Sequence, residues 1–508
     1  MTPSDTPQAL STPTRSNRWL TLAVLCLSVF VIVVDGTITN VALPTIQRTL
    51  GSSISELQWI VDAYILVFAG LLIACGSLGD RLGRKGLLQV GMVVFAGCSA
   101  MAGWADSSGS LIFWRAAMGI GAALIFPATL ATVVNIFTVP KERAVAISIW
   151  SATSGLAVAL GPISGGLLLE HFWWGSVFFV NVPVIAVAML LIAFFVPTSR
   201  DPHVSRFDPV GIVLSIAAVS VLTWAVIEGP HHGWLSTSSI GAFAMAVVAF
   251  IGFIAWERRS DHPMLDVRVF ANMRFSAGSI AICFAFFALF GFIFMVTQYF
   301  QFVRGYGTLS AGLHTVPFAV FTATAAPSSP RFVDRFGSKA VVATGLAMMA
   351  IGFAHTTTLG VDSSYGWIVG EMFFMGFGLG LVTAPATEAI MGSLPPAKAG
   401  VGSAVNDTAR ELGGVLGVAL VGSVFSSVYV ARLDEAPIVG TLPPEVAELV
   451  RDSVGAANQV ARDVPQLKSV IDGAFMNGFH GGSWVSASVV LVGALVSIRF
   501  LPRRAAES

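Results

Sequence analysis

Long apolar runs separated by short polar segments occupy the chain from about residue 18 to residue 500. A bilayer core about 30 Å thick needs roughly 20 apolar residues per helix, and the sequence supplies about fourteen such runs. The predicted membrane helices cover residues 18–41, 56–79, 87–104, 110–136, 144–168, 173–196, 208–228, 235–257, 274–300, 309–330, 340–359, 365–390, 399–428 and 478–500. The pattern predicts an all-α integral membrane protein whose two termini lie on the same side.

Composition supports this interpretation, because 55% of the residues are hydrophobic and only 11% are charged. Soluble domains carry about a quarter charged residues. Basic and acidic residues are equal in number, 28 each, so no basic excess attracts nucleic acid. The four cysteines lie in apolar runs without CxxC or CxxH spacing, which indicates neither a disulfide framework nor a metal site. No GxxxxGK[ST] loop occurs, so we expect no nucleotide or other cofactor, and we assign no catalytic residue.

Basic residues mark one side of the membrane. Alternate loops and the two tails hold about twenty Lys and Arg, whereas the short loops of the other side hold about two, Arg48 and Arg304. Basic loops resist translocation, so both termini are predicted to be cytoplasmic. The long segment 431–477 is predicted to face outward, and its portions 446–454 and 467–475 favour short amphipathic helices.

A charged loop occurs twice in the chain. The first copy contains Gly76, Asp80, Arg81, Gly83, Arg84 and Lys85, and a weaker copy repeats Asp334 and Arg335 at the same spacing. Such a repeat indicates two related halves. The copies lie about eight helices apart, where two halves of six helices would place them six apart. The helices near 208–228 and 235–257 contain no intramembrane acid by this assignment, and we interpret them as an inserted pair.

The repeat and the helix count together predict the domain organisation. It consists of a disordered cytoplasmic N-terminus (1–17), an N-terminal six-helix bundle (18–196), two inserted helices (208–257), a C-terminal six-helix bundle with the outer segment (274–500) and a cytoplasmic C-terminus (501–508).

Four motifs occur in order on the predicted helices and loops: residues 35–44 in the first helix, the loop at 76–85, residues 115–119 around an arginine of the fourth helix and the glycine-rich residues 157–166 of the fifth helix. Together they resemble the motifs of the major facilitator superfamily. Within it they resemble the fourteen-helix drug:proton antiporters, which include quaternary-ammonium, dye and fluoroquinolone exporters. The resemblance implies a major facilitator fold of two six-helix bundles plus two inserted helices, proton-coupled export of small amphiphilic compounds by alternating access, and a monomer among the lipids of a bacterial cytoplasmic (inner) membrane.

Asp35 is the acid with the best support for a role in proton coupling. It lies inside the first predicted helix, where a carboxylate is costly unless it is paired, hydrated or protonated, so it can bind a proton or a cation. The alternative is that Asp35 only bonds Thr37, Asn40 or a neighbouring helix. Asp62, near the outer end of the second predicted helix, is a second candidate, with an interfacial position as an equal alternative.

Further charges lie in the fourth and thirteenth predicted helices. Arg115 cannot lose its proton at working pH, so an ion pair with Asp35 or another acid and a direct part in proton relay are equal alternatives. Asp407, Arg410 and Glu411 concentrate charge in one helix, which predicts a water-filled cavity. The equal alternative is that Asp407 and Arg410 neutralise each other and leave Glu411 as the only free acid of this helix.

The repeated loop and the fifth helix indicate conformational parts. Asp80 is predicted to accept bonds from a helix start, while Arg81 and Arg84 pair with acids across the cytoplasmic gate. The fifth helix carries Gly161, Pro162, Gly165 and Gly166. These residues permit close backbone approach and a bend, which suits a helix on which the halves rock, with ordinary small-residue packing as the alternative.

The candidate acids Asp35, Asp407 and Glu411 outnumber Arg115 and Arg410, which favours cationic drugs or dyes as substrates. Phenylalanines of the ninth predicted helix, 286 among them, offer flat surfaces to a cation, although we interpret them first as lipid-facing core. Export of an endogenous lipid or metabolite is the main alternative function, and a membrane enzyme or sensor is the weaker one.

Overall fold

The computed structural model describes residues 15–52, 54–198, 208–260, 263 and 265–502 of the chain. Most of the predicted disordered N-terminus, the basic loop with Arg200 and Arg206, and the last six residues lie outside the described residues. Residues 15–17, predicted as disordered, belong to the first helix. Throughout the described ranges the structure is helical and contains no strand, so the prediction of an all-α protein is confirmed.

The α-helices, in chain order, are α1 (Arg15–Leu50), α2 (Ile54–Leu82), α3 (Arg84–Gly103), α4 (Ser108–Ile136), α5 (Pro140–His171), α6 (Ser176–Phe179), α7 (Asn181–Phe195), α8 (Pro209–His232), α9 (Thr237–Arg259), α10 (Met273–Gln298), α11 (Thr308–His314), α12 (Val316–Phe336), α13 (Ser338–Thr356), α14 (Tyr365–Met391), α15 (Ala399–Asp434), α16 (Pro444–Asp452), α17 (Val454–Asp463) and α18 (Pro465–Phe500). A π-helical turn, Tyr299–Val303, follows α10.

Fourteen helical segments among the described residues are long and apolar enough to cross a membrane. Three of them are composite, because α6 continues into α7, α10 into the π-helical turn and α11 into α12. The predicted number of membrane helices is therefore confirmed. A backbone in the bilayer can satisfy its hydrogen bonds only within such helices or a closed barrel, which explains why the apolar runs predict them so well.

The ends of the helices differ from the prediction mainly at one side of the bundle. α1 continues to Leu50 and α15 to Asp434, beyond the apolar runs. The short helix predicted at 467–475 is wrong, because these residues form the first turns of α18. The helix predicted at 446–454 corresponds to α16, and α17 follows it directly.

Buried apolar side chains form two clusters. One cluster draws almost entirely on residues 22–196, and the other mainly on residues 265–501. The two cores meet where α2 packs against α15 and where α5 packs against α12. We call the segments α1–α7 and α10–α18 the first and second halves below.

The inserted pair, α8 and α9, contacts both halves. α8 packs against α2 and α15, and Trp234 after α8 donates from Nε1 to Ser423 Oγ of α15 at 2.9 Å. The expectation that this pair holds no membrane acid is wrong near its ends. Glu228 lies in the last turns of α8, and Glu257 of α9 is buried and accepts a hydrogen bond from the backbone N–H of Leu265 at 3.1 Å.

The backbone of the repeated loop is the same in both copies. Gly83 and Gly337 both have positive φ angles, 107° and 82°, which glycine adopts without steric cost. Each donates its N–H to the carbonyl four residues earlier, at Gly79 and Val333. We call the end of the bundle that carries these turns the loop end, and the end that carries α16 and α17 the opposite end.

Candidate functional site

Asp35 of α1 forms an ion pair with Arg115 of α4 inside the first half. Both side chains are fully buried, and Arg115 Nη1 donates to Asp35 Oδ2 at 2.5 Å. Asn181 of α7 donates from Nδ2 to the other carboxylate oxygen at 2.7 Å and to Ser99 Oγ at 3.1 Å. Arg115 Nε also donates to the carbonyl of Ile60 at 3.0 Å. Residues from five helices therefore meet around one carboxylate.

The structure contains the ion pair with Asp35 that is one alternative for Arg115, while a direct part of Arg115 in proton relay stays a prediction. Asp35 does not bond the side chains of Thr37 or Asn40, which instead donate to carbonyls of their own helix. Removing one partner of a buried ion pair leaves an uncompensated charge and costs about 3–5 kcal/mol. The pair can therefore separate only when a proton or another charge compensates the group that is left.

Tyr64 of α2 is a member of this cluster that our sequence analysis did not single out. Its ring centroid lies 4.4 Å from Arg115 Cζ, within the range of a cation–π contact. The hydroxyl group of Tyr64 and Nη2 of Arg115 are both buried without a hydrogen-bond partner. Nothing in its apolar sequence context distinguishes this tyrosine from an ordinary packing residue.

Asp62 lies two residues before Tyr64 and outside the Asp35 network. Its side chain is half-buried, and it interacts electrostatically with Glu228 of the inserted helix α8. Glu228 in turn lies 3.3 Å from His232 Nδ1. The choice between an interfacial and a proton-coupling Asp62 stays open, and Glu228 is an acidic neighbour that the sequence did not place beside it.

In α15, Asp407 and Arg410 are both buried but do not form the predicted ion pair. Asp407 accepts from Asn406 Nδ2 at 2.9 Å and from Ser403 Oγ at 3.3 Å. Nε and Nη2 of Arg410 have no hydrogen-bond partner. Glu411 is half-buried and makes no hydrogen bond to another described residue. Asp407 and Arg410 therefore interact electrostatically but form no direct ion pair in this structure.

The guanidinium of Arg410 lies instead over two aromatic rings. Its Cζ atom is 4.7 Å from the ring of Trp150 in α5 and 4.8 Å from the ring of Phe286 in α10. Lipid-facing core, our first interpretation of the phenylalanines in this helix, is therefore wrong for Phe286. Trp150 was missed, because a tryptophan in an apolar run carries no sign of the charge that it will meet.

Asp80 of the repeated loop links the two halves at the loop end. Its Oδ1 accepts from the backbone N–H of Gly400 at 2.9 Å, and its Oδ2 from that of Val401 at 3.1 Å, at the start of α15. This is the helix-start contact that the sequence predicts. Gly76 lies against the same helix start, where a methyl group would come 2.5 Å from the carbonyl oxygen of Gly400.

The basic residues of this loop contact both halves. Arg84 is buried and binds Asp80 itself, with Nε at 2.9 Å and Nη2 at 2.5 Å from Oδ1. Its Nη2 also donates to the carbonyl of Pro396 in the second half, at 3.1 Å. Lys85 donates to the carbonyl of Ala193 in α7, and Arg81 is half-buried at the end of α2. Pairing of Arg81 and Arg84 with acids of the other half stays a prediction.

The second copy of the loop does not repeat these contacts. Asp334 and Arg335 are exposed, and neither has a hydrogen bond or ion pair to another described residue. Arg335 lies over the ring of the neighbouring Phe336, at 5.3 Å. The two copies share their backbone turn, but Asp80 bonds to the other half and Asp334 has no corresponding bond to a described residue.

A second link across the loop end connects Arg143 of α5 with Glu388 of α14. Arg143 Nη2 lies 2.5 Å and Nε 3.0 Å from Glu388 Oε1. Another acid of α14, Glu371, is fully buried and accepts a hydrogen bond from Thr356, while its second oxygen has no partner.

The glycines of α5 allow it to approach helices of both halves. A side chain at Gly161 would collide with Thr37 of α1, and Gly165 faces the same helix. Gly166 faces Leu309 of α11, and Pro162 lies beside Gly312 of the same segment. α5 is therefore in close contact with the first half on one side and the second half on the other.

A cavity of about 140 Å³ lies between the halves, lined by residues of α1, α5, α10 and the α11–α12 segment. Its polar lining residues are Asn40, Thr297, Gln301 and Thr315. Pockets for drug-sized ligands usually measure about 300–1,000 Å³. The contacts at Asp80 and Arg143 close the loop end, and the contact of α5 with α11 lies toward the opposite end, so this arrangement leaves little space between the halves.

Membrane-spanning helices in two cores, meeting around buried charges and a central cavity, are the architecture of a transporter, not of an enzyme. Residues 25–418 match the model of the Major Facilitator Superfamily. The chain belongs to this family, and it is a multi-pass membrane transporter.

Relatives of known function cover nearly the whole chain. The multidrug efflux pump LfrA of Mycolicibacterium smegmatis is 39% identical over 97% of both chains. The tetracenomycin C resistance and export protein of Streptomyces glaucescens is 33% identical over 98% of this chain and 94% of its own. The multidrug resistance protein Stp of Mycobacterium tuberculosis is 33% identical over 95% and 92%.

Solved structures of the same fold are more distant in sequence. The human organic anion transporter MFSD10 aligns with a TM-score of 0.63 at 14% identity, over 96% of this chain and all of its own. The proton:xylose symporter XylE aligns with a TM-score of 0.61 at 15% identity, over 96% and 97%. These similarities establish the shared fold of the major facilitator transporters.

Proposed function

We propose that this protein is a proton-coupled multidrug efflux antiporter that exports small amphiphilic, mainly cationic compounds. The observation that carries the proposal is the fully buried Asp35 in its network with Arg115 and Asn181, in a chain related over its whole length to multidrug exporters. A carboxylate at membrane depth marks a proton or ion pathway more often than a packing site. The driving force is the proton gradient, without a further cofactor.

Alternating access supplies the mechanism. The closed loop end opens when the links of Asp80 to α15 and of Arg143 to Glu388 break, and the compound then enters between the halves. Proton binding at the buried acids compensates charges that separate as the halves rock on α5. Release at the opposite end requires α5 to move away from α11.

The loop end is assigned to the cytoplasm, because the basic residues of the chain concentrate there. Both termini are then cytoplasmic, and the segment 431–477 with α16 and α17 faces outward. The relatives whose names identify them as efflux pumps come from bacteria, which supports a location in the bacterial cytoplasmic (inner) membrane. We assign it as a monomer surrounded by lipid, with protons and drug-like compounds as its partners.

A dye panel in proteoliposomes tests the proposal. Vesicles that contain the purified protein should accumulate ethidium and similar monocations when a pH gradient is imposed, and they should lose this activity when the gradient is collapsed. Anionic dyes of equal size should move more slowly, because the acids Asp35, Asp407 and Glu411 outnumber the buried arginines. Transport that does not depend on the gradient would refute proton coupling, and equal transport of anions would refute the charge preference.

A further inference from the structure

Arg410 is a buried cation that interacts electrostatically with Asp407 and Glu411 but forms no direct ion pair with either of them. It is 3% exposed, and its guanidinium stays charged at any working pH. Two of its nitrogen atoms, Nε and Nη2, have no hydrogen-bond partner. Acids precede and follow it in the same helix, yet Asp407 is engaged by the neutral groups of Asn406 and Ser403. Buried charges are usually paired, so this arrangement needs an explanation.

The contacts that hold the guanidinium are the faces of two rings. Trp150 and Phe286 approach its Cζ atom at 4.7 and 4.8 Å. Trp150 is held in place because it donates from Nε1 to Thr129 Oγ1 at 3.1 Å and packs edge-on against Phe126. The two rings belong to α5 of the first half and α10 of the second half. A cation held by both rings therefore sits between the parts that must separate during transport.

Arg115, another buried arginine, is not held by aromatic rings alone. Arg115 also lies over a ring, that of Tyr64, at 4.4 Å. It has in addition the carboxylate of Asp35 and the carbonyl of Ile60 as acceptors. Arg115 thus has hydrogen-bond acceptors in addition to an aromatic ring. The guanidinium of Arg410 contacts two aromatic rings, while its Nε and Nη2 have no acceptor.

We propose that Trp150 and Phe286 form a binding site for a planar aromatic cation, and that Arg410 occupies this site while the substrate is absent. The inference rests on the proposed function and names the residues that recognise its substrate class. Aromatic faces attract organic cations through the same quadrupole that now attracts the guanidinium. A flat aromatic cation gains stacking contact with the rings as well, which a guanidinium provides over a smaller area.

When the substrate displaces Arg410 from the two rings, the guanidinium can bind hydrogen-bond acceptors that it now lacks. Asp407 lies three residues before Arg410 on the same face of α15, within reach for an ion pair. The neutral donors on Asp407 are replaceable, and such a pair satisfies the nitrogen atoms that are now without acceptors. The charges then balance, because Arg410 and the bound monocation face Asp407 and Glu411.

Ethidium binding to the purified full-length protein in detergent, without a proton gradient, tests the inference. Arg410→Gln removes the internal competitor and should tighten ethidium binding. Phe286→Leu removes one ring and should weaken it, by roughly twofold to thirtyfold in Kd if one cation–π contact is lost. In the Phe286→Leu background, Arg410→Gln should increase the affinity for ethidium less than it does in the parent protein.

Matched controls use the same substitutions away from the proposed site. Phe294→Leu removes a ring of α10 that packs on Phe425, and Arg304→Gln removes a cation that binds the carbonyls of Val361 and Ser363. Neither should change the Kd for ethidium. Phe286→Tyr keeps the ring and should bind ethidium like the parent, which separates loss of the site from loss of folding.

Unchanged or weaker ethidium binding by Arg410→Gln overturns the inference. Absence of ethidium binding in both the parent protein and Arg410→Gln overturns it as well. Loss of binding of a carboxylate-bearing aromatic compound, with ethidium unaffected, would make Arg410 an anion-binding residue and also overturn it. The outcome is separable from the proposed function. If Arg410 competes with ethidium but no gradient-driven efflux occurs, the proposed antiporter function is refuted. If efflux occurs but Arg410 does not compete with ethidium, only the proposed role of Arg410 is refuted.

Discussion

Replacing Asp35 by Asn removes one charge from the most deeply buried ion pair while it keeps the size of the side chain. Asn accepts a hydrogen bond from Arg115 or Asn181 through its amide oxygen, but it cannot take up or release a proton. Arg115 retains the carbonyl of Ile60 and the ring of Tyr64. The change therefore tests whether the carboxylate is needed for its charge or only for its shape.

The cost for stability follows from the burial of both partners, which are fully inaccessible. A buried arginine that loses its acid lowers the free energy of unfolding by about 3–5 kcal/mol. The hydrogen bond to the amide oxygen of the new Asn offsets part of this loss. Arg115→Gln in the Asp35→Asn background removes the unpaired charge and should restore part of the stability. It should not restore transport, because the titrating group is still absent.

Proton-driven ethidium efflux in proteoliposomes with equal amounts of protein is the assay, and thermal unfolding in detergent is its companion. We expect Asp35→Asn to show no gradient-driven efflux and a lower Tm, and the double variant to show no efflux and a partly recovered Tm. Normal efflux by Asp35→Asn would falsify the assigned proton-coupling role. Recovery of efflux in the double variant would mean that only the unpaired arginine had blocked transport.

Three further outcomes follow from the contacts of the loop end, of α5 and of the outer segment. Asp80→Ala should lower the free energy of unfolding by about 3–5 kcal/mol, because it breaks the buried ion pair with Arg84 as well as the bonds to the start of α15. The exposed Asp334→Ala should not lower it, and equal effects in denaturation would contradict the link. Gly161→Ala should cost about 1–3 kcal/mol by collision with α1, and Gly97→Ala, which meets open space, should be neutral or stabilising. Cysteines in 444–463 should react with an impermeant thiol reagent from outside only; labelling from the cytoplasm would reverse the topology.

The sequence predicted the helices and the separate charged residues, since a charge inside an apolar run is conspicuous. Asp35, Arg115, Asp407 and Arg410 were all identified in this way. Their pairing could not be predicted, because it depends on how each helix is rotated about its axis. Two acids and two arginines allow several pairs, and the structure contains one of them.

Other contacts lacked any signal in the chain. Arg143 and Glu388 lie near helix ends, where charges are expected at the membrane interface anyway, so their ion pair across the halves resembles ordinary boundary residues. Trp150 and Phe286 lie among many aromatic residues of apolar runs. Only the arrival of Arg410 from a third helix distinguishes them.

The two loop copies show why a repeat in sequence does not guarantee a repeat in contacts. Asp80 reaches the start of α15 because the second residue of that helix is Gly400, where a methyl group would lie 2.5 Å from its carboxylate oxygen. α5, the corresponding helix of the first half, has Lys141 in second position, where α15 has a glycine.

Near the start of α5, Arg143 joins the second half through Glu388 instead. The links of Asp80 and of Arg143 at the loop end are thus unlike. The carboxylate of Asp80 binds backbone N–H groups, which keep their positions in a rigid helix start. Arg143 and Glu388 form an ion pair of two side chains, which rotate independently and separate without deforming a helix. Because both links join α5 or α2 to the second half, opening requires both to break, and the side-chain pair is the one that can yield first.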